Sequence, residues 1–220
     1  YSTIFGMINS VGQPVFREAS EDTQRLQNIF RKLMRFTAFV SFPAMLGLAI
    51  VSQELIVISI TEKWLPCVPV MQILCVWGAF MPISTLYSNL MNSIGRPNIY
   101  MWNTIALGIF QLLCVWGSYP YGLNVMLIVY TAANIFWLLI WHYFAHKHIG
   151  ISLFNTLKDI APYLIISVAV MTFTYWVAGY VKNIYLSLLV KVALAASLYI
   201  FLMWSLKSIV FRESLQYLFK

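Results

Sequence analysis

Six uninterrupted apolar stretches, at residues 36–60, 68–94, 99–118, 123–145, 160–181 and 185–206, constrain this chain more than any motif in it. A helix needs ~20 mainly apolar residues to cross ~30 Å of hydrocarbon, and each stretch meets that length. Within a bilayer the backbone N–H and C=O groups find no water, so a crossing segment must close its hydrogen bonds internally, as a helix does. The 220 residues are 61% apolar and 10% charged, against ~45–50% and ~25% in soluble domains, which excludes a soluble globular fold. The predicted fold is all-α: a polytopic membrane bundle of six full transmembrane helices, with residues 1–16 as the end of a preceding one.

The breaks between stretches carry turn chemistry: Lys63, Pro66 and Pro69 in the first, Gly95-Arg96-Pro97-Asn98 in the second, Tyr119-Pro120-Tyr121-Gly122 in the third. Short links between long helices force antiparallel neighbours, so the chain changes side at each break. Sorting the 14 Lys and Arg by that alternation places Arg17, Arg25, Arg31, Lys32, Arg35, Arg96, Lys147, Lys158, Lys207, Arg212 and Lys220 on one side. Lys63 and Lys182 fall on the other, and Lys191 lies inside a span. The positive-inside bias makes the crowded side cytoplasmic, the C-terminus included. The expected layout is therefore a cytoplasmic amphipathic elbow at 17–35, four spans within 36–145, a cytoplasmic loop at 146–159, two additional spans within 160–206 and a cytoplasmic tail at 207–220. The formal charge of +7 is scattered between spans rather than gathered in a patch, which argues against a nucleic-acid partner. Cys67, Cys75 and Cys114 are odd in number and widely spaced, so neither a disulfide framework nor a zinc site is expected. The chain opens on Tyr1 with neither an initiator methionine nor a cleavable signal, and is expected to be part of a longer protein.

In the elbow, Leu26, Ile29, Phe30, Leu33 and Met34 recur at helical spacing opposite Arg25, Asn28, Arg31, Lys32 and Arg35. That pattern predicts a helix in the membrane plane, capped by Ser20, with Glu21 and Asp22 in its first turn. Arg31, Lys32 and Arg35 are candidates for contact with an anion or a lipid headgroup, the plainer alternative being an elbow that only feeds the next span. Lys191, about six residues into the last span, either snorkels to the outer interface or meets an anion.

Ionisable groups able to meet inside the membrane are too few for catalysis: Glu54 and Lys191 lie within spans, Glu62 and Asp159 at edges. No paired carboxylates, phosphate-cradling glycine loop or nucleophile triad emerges, so neither an enzyme nor a cofactor is expected. His142, His146 and His148 sit at a span end beside Lys147, where packing is the better reading than a metal site. What the spans do carry is uncharged polarity. Thr85, Ser88, Asn89 and Asn92 recur at i, i+3, i+4 and i+7 and so share a stripe; Asn134, Trp137, Asn103 and Gln111 add amides and an indole on two further spans. Such groups must face another helix or water, which makes them either lining for a substrate path suited to sugar hydroxyls or interhelical glue. Pro43 and Pro82 lie well inside their spans and are candidate hinges.

Taken in order, Pro14-Val15-Phe16, Asp22 with Arg25, Phe42-Pro43, the outer turn Glu62-Lys63-Trp64-Leu65-Pro66 and the inner turn Gly95-Arg96 resemble the polysaccharide-transporter family. This is the Wzx-type flippase branch of the multidrug, oligosaccharidyl-lipid and polysaccharide exporter superfamily. The resemblance runs from about residue 1 to residue 118 and is looser beyond. It implies two lobes of helices around a central cavity, of which this chain holds most of the second lobe and two extra C-terminal helices, with the N-terminal lobe as its missing partner. It further implies a bacterial inner-membrane protein that flips undecaprenyl-pyrophosphate-linked sugar repeat units to the periplasmic leaflet for surface polysaccharide such as O-antigen or lipopolysaccharide. Lipid-linked oligosaccharide, membrane lipids and other polysaccharide-assembly proteins are the implied partners. A cation-coupled multidrug exporter of the same superfamily is the alternative; it would call for an acidic residue deep in a lobe. A membrane glycosyltransferase would call for a sizeable outward loop, and a purely structural assembly protein is a further class.

Overall fold

The computed structural model describes residues 16–19, 22–181 and 183–205. Expectations that fall on residues 1–15, Ser20, Glu21, Lys182 and the 207–220 tail lie outside the described residues. Six long helices follow one another: α1 (Thr23–Ser59), α2 (Val68–Ser93), α3 (Pro97–Ser118), α4 (Leu123–Ile149), α5 (Leu153–Ala178) and α6 (Ile184–Ser205). Short 3-10 turns at Glu62–Cys67 and Tyr119–Tyr121 fill two of the breaks. Each long helix is apolar and long enough to cross a membrane, and the described residues contain no strand. The chain is an all-α, multi-pass membrane bundle.

α1 is its axis. It packs along α2 on one flank and along α5 and α6 on the other, while α2 carries α4 and α4 carries α3. The core is a single cluster running from Leu26, Phe30, Met34, Ala38 and Phe42 on α1 to Ile83, Leu86, Tyr87 and Leu90 on α2, Trp137 and Trp141 on α4, Met171 on α5 and Tyr199 on α6. Spacings of three and four place each set on one helix face, the geometry that lets ridges of side chains interlock.

Two expectations change here. The elbow at 17–35 and the first span are one helix of 37 residues, about 55 Å long at 1.5 Å per residue. The reason is visible in the stripe: Leu26, Phe30, Met34, Ala38 and Phe42 continue without a phase break, and the apolar face predicted to lie on lipid is buried against protein. The N-cap is Asp22, whose carboxylate accepts from the backbone N–H of Gln24 at 2.9 Å and of Arg25 at 3.1 Å. The cytoplasmic loop expected at 146–159 is likewise mostly helix. α4 runs on to Ile149, Gly150 closes it at φ 70° with its N–H on the His146 carbonyl, and α5 begins at Leu153. Counting apolar residues alone underestimates helices whose ends stand in the headgroup region.

Both prolines predicted inside spans are inside helices, and at Pro43 the freed carbonyl is met by a hydroxyl from a neighbour. Pro43 has no N–H to offer the carbonyl of Phe39, four residues earlier. Tyr199 on α6 donates to that carbonyl at 2.8 Å. On α2, in the turn before Pro82, the Ala79 carbonyl accepts from Ser41 Oγ of α1 at 2.8 Å. Neighbouring hydroxyls are one way a membrane helix re-satisfies backbone groups freed by proline.

Candidate functional site

One face of α2 steps through Leu74, Gly78, Met81, Thr85, Ser88 and Asn92 by alternating fours and threes, so it stays in line along the helix. Its first half borders an apolar groove of about 720 Å³ between α1, α2 and the first 3-10 turn, walled by Met45, Leu48, Trp64 and Met71. Its second half is neutral and polar. Thr85, Ser88 and Asn92 are half-buried there. The hydroxyls of Thr85 and Ser88 donate to carbonyls of their own helix, Met81 at 3.1 Å and Ser84 at 3.2 Å. That bond removes the need for a partner on a neighbouring helix and leaves each oxygen able to accept. Asn89, grouped with them by spacing, is turned into the protein and only 4% exposed.

The other residues expected to line a path are paired with one another across the α3–α4 seam. Trp137 Nε1 donates to Asn103 Oδ1 at 2.8 Å. Gln111 Nε2 donates to Asn134 Oδ1 at 2.8 Å, and Asn134 Nδ2 reaches the Tyr130 carbonyl at 2.7 Å. These four side chains fasten α3 to α4 and stand apart from the α2 face. Buried Asn103 Nδ2 has no hydrogen-bond partner among the described residues.

The four cations named as anion contacts are engaged with carboxylates or lie beside them. Arg31 Nε and Nη2 hold the two Asp159 oxygens at 2.6 and 3.1 Å, and Arg35 Nε lies 3.9 Å from the same carboxylate. Lys32 is exposed next to them. Lys191 does not snorkel to the interface. Its ammonium meets Glu54 Oε1 at 2.5 Å and the Ile50 carbonyl at 2.9 Å, and lies 5.4 Å from the Tyr175 ring centre. Ser187 also donates to Glu54 Oε1, at 2.9 Å. This buried pair was missed from the residues, although Glu54 near the C-terminal end of α1 and Lys191 near the N-terminal end of α6 fall at similar depth in their antiparallel helices. Matching the depth of unlike charges within spans is the signal that would have joined them. Of the histidines, His142 Nδ1 lies 3.1 Å from buried Tyr87 Oη, and His146 Nδ1 lies 2.9 Å from the Ile151 carbonyl.

Fold and site together define a multi-pass helical membrane protein that offers a neutral polar helix face. The family model described as polysaccharide biosynthesis protein matches residues 1–69. The chain is 31% identical over 105 residues to the lipopolysaccharide biosynthesis protein WzxC of Escherichia coli, and 30% identical over 110 residues to an uncharacterized membrane protein in the cps region of Klebsiella pneumoniae. It is 25% identical over 105 residues to the teichuronic acid biosynthesis protein TuaB of Bacillus subtilis. These matches take in 47%, 50% and 47% of this chain but 21%, 23% and 22% of the respective relatives, so the chain aligns with under a quarter of each. No solved structure matches. The resemblance to the polysaccharide-transporter, Wzx-type flippase family is thereby shown over part of the chain.

Proposed function

We propose that this chain is the C-terminal part of a flippase that moves lipid-linked oligosaccharide from the cytoplasmic to the periplasmic leaflet by alternating access, for surface polysaccharide assembly. The observation that carries the reading is the α2 face, where Thr85, Ser88 and Asn92 present half-buried hydroxyl and amide groups in line on one helix. A sugar headgroup cannot cross hydrocarbon without replacing its hydrogen bonds to water, and a neutral polar face replaces them without holding the cargo too tightly to release. The polar part spans about 10 Å, a third of the ~30 Å crossing, so the remaining lining belongs to elements beyond these six helices. The relatives' roles in lipopolysaccharide and teichuronic acid biosynthesis support the substrate class.

In this reading the protein is not an enzyme. It sits in the bacterial inner membrane with its C-terminus cytoplasmic, and it works with an N-terminal lobe. Pro43 and Pro82 are the bending points; Tyr199 holds the carbonyl freed at Pro43 and Ser41 ties α1 to α2 in the turn before Pro82, so bending at either is coupled to the neighbouring helix.

The test is deletion of the gene in its host, followed by leaflet-specific labelling of lipid-linked sugar. Accumulation on the cytoplasmic leaflet, with loss of surface polysaccharide, is the expected result. Unchanged surface polysaccharide in a strain shown to hold no second flippase rejects the proposal.

A further inference from the structure

Asp159 is 7% exposed and faces two guanidinium groups, Arg31 and Arg35, that are 34% and 27% exposed. One arginine neutralises one carboxylate; the second is in excess. Its position along the bundle is informative. After Arg35 the next charged residue of α1 is Glu54, and α5 carries none after Asp159. Both helices therefore become uncharged at the level of this cluster, which is where the hydrocarbon begins and lipid phosphates lie.

The surroundings carry the same signature. Lys32 and Lys158, the chain neighbours of Arg31 and Asp159, are exposed, and the first turns of α5 expose Leu153, Phe154 and Leu157, with Phe154 at 73%. Basic groups next to exposed aromatic and aliphatic side chains at a helix start are the pattern of a segment seated in the headgroup layer. Guanidinium also matches phosphate oxygens in a way an ammonium does not.

We infer that Arg35 and Lys158, held in place by the Arg31–Asp159 pair, form a binding site for the phosphate of an acidic membrane phospholipid, with the lipid's upper acyl segment against Phe154 and Leu157. The site belongs to the α1–α5 seam and is separate from the α2 face. It rests on the membrane fold and does not require the flippase reading.

Native mass spectrometry of the full chain, released from vesicles holding equal phosphatidylglycerol and phosphatidylcholine, tests it. Phosphatidylglycerol adducts should dominate. The R35Q/K158Q variant keeps the Arg31–Asp159 pair and should lose that preference by about fivefold per charge removed, the equivalent of about 1 kcal/mol each. R35K/K158R should keep most of it, and R25Q should behave as the parent. Equal retention of the two lipids, or an equal loss in R25Q, overturns the site. So does undecaprenyl phosphate displacing phosphatidylglycerol when both are present equally, because the site would then serve the transported lipid.

Discussion

At Pro43 a hydroxyl from another helix meets the carbonyl that the proline frees. Tyr199 Oη donates to the Phe39 carbonyl in place of the N–H that Pro43 lacks. Tyr199→Phe is therefore expected to lower stability by about 0.6 to 1 kcal/mol in bicelle unfolding, and Tyr185→Phe, at an exposed position, by close to nothing. Glu54 and Lys191 set a larger effect. Lys191→Met leaves a buried carboxylate unpaired and should cost about 3–5 kcal/mol in the same assay, while the double variant E54Q/K191Q should recover most of it. An equal loss in single and double variants would show that the pair contributes through packing alone. Neither contact was legible from the residues. A proline announces a missing donor but not which helix supplies the substitute, and Lys191 points to Glu54 only when the depths of both are compared.

Among the elements, all six spans were legible, because ~20 apolar residues in a row have few other uses. Their ends were less so. α1 begins 13 residues before the predicted span and α5 seven residues before its own, since turns that stand in the headgroup layer are amphipathic and resemble loops when only apolar residues are counted. Interhelical polar pairing was legible as a class and not as partners: the sequence shows Asn103 and Gln111 on one span, and only the fold brings Trp137 and Asn134 to them. Asn103→Leu and Gln111→Leu should each weaken the α3–α4 seam by about 0.6 kcal/mol, up to ~1.7. Thr104→Val, where the hydroxyl already bonds the Tyr100 carbonyl on an exposed face, should weaken it less. Bicelle unfolding separates them, and equal effects at all three positions would remove the seam's special role.

For the molecule as a whole, the ties between α1 and the last two helices lie at both ends of the bundle and between them. Arg31 joins Asp159 at one end of α1, Glu54 joins Lys191 at the other, and Tyr199 binds α6 to α1 between them. The two ion pairs are separated by 23 residues of α1, about 35 Å, close to the hydrocarbon thickness. α1, α5 and α6 are thus predicted to move as one body, so cysteine cross-links between α1 and α6 should leave flipping unimpaired. Loss of flipping on such cross-linking would show that the C-terminal pair swings separately.

The most direct measurement is thiol accessibility along α2. With Cys67, Cys75 and Cys114 replaced by alanine, single cysteines at Thr85, Ser88 and Asn92 of the full-length protein should react with a membrane-impermeant maleimide from at least one side, and a cysteine at fully buried Leu86 should not. Protection of the first three positions from both sides, in every transport state, would contradict a hydrated route along that face.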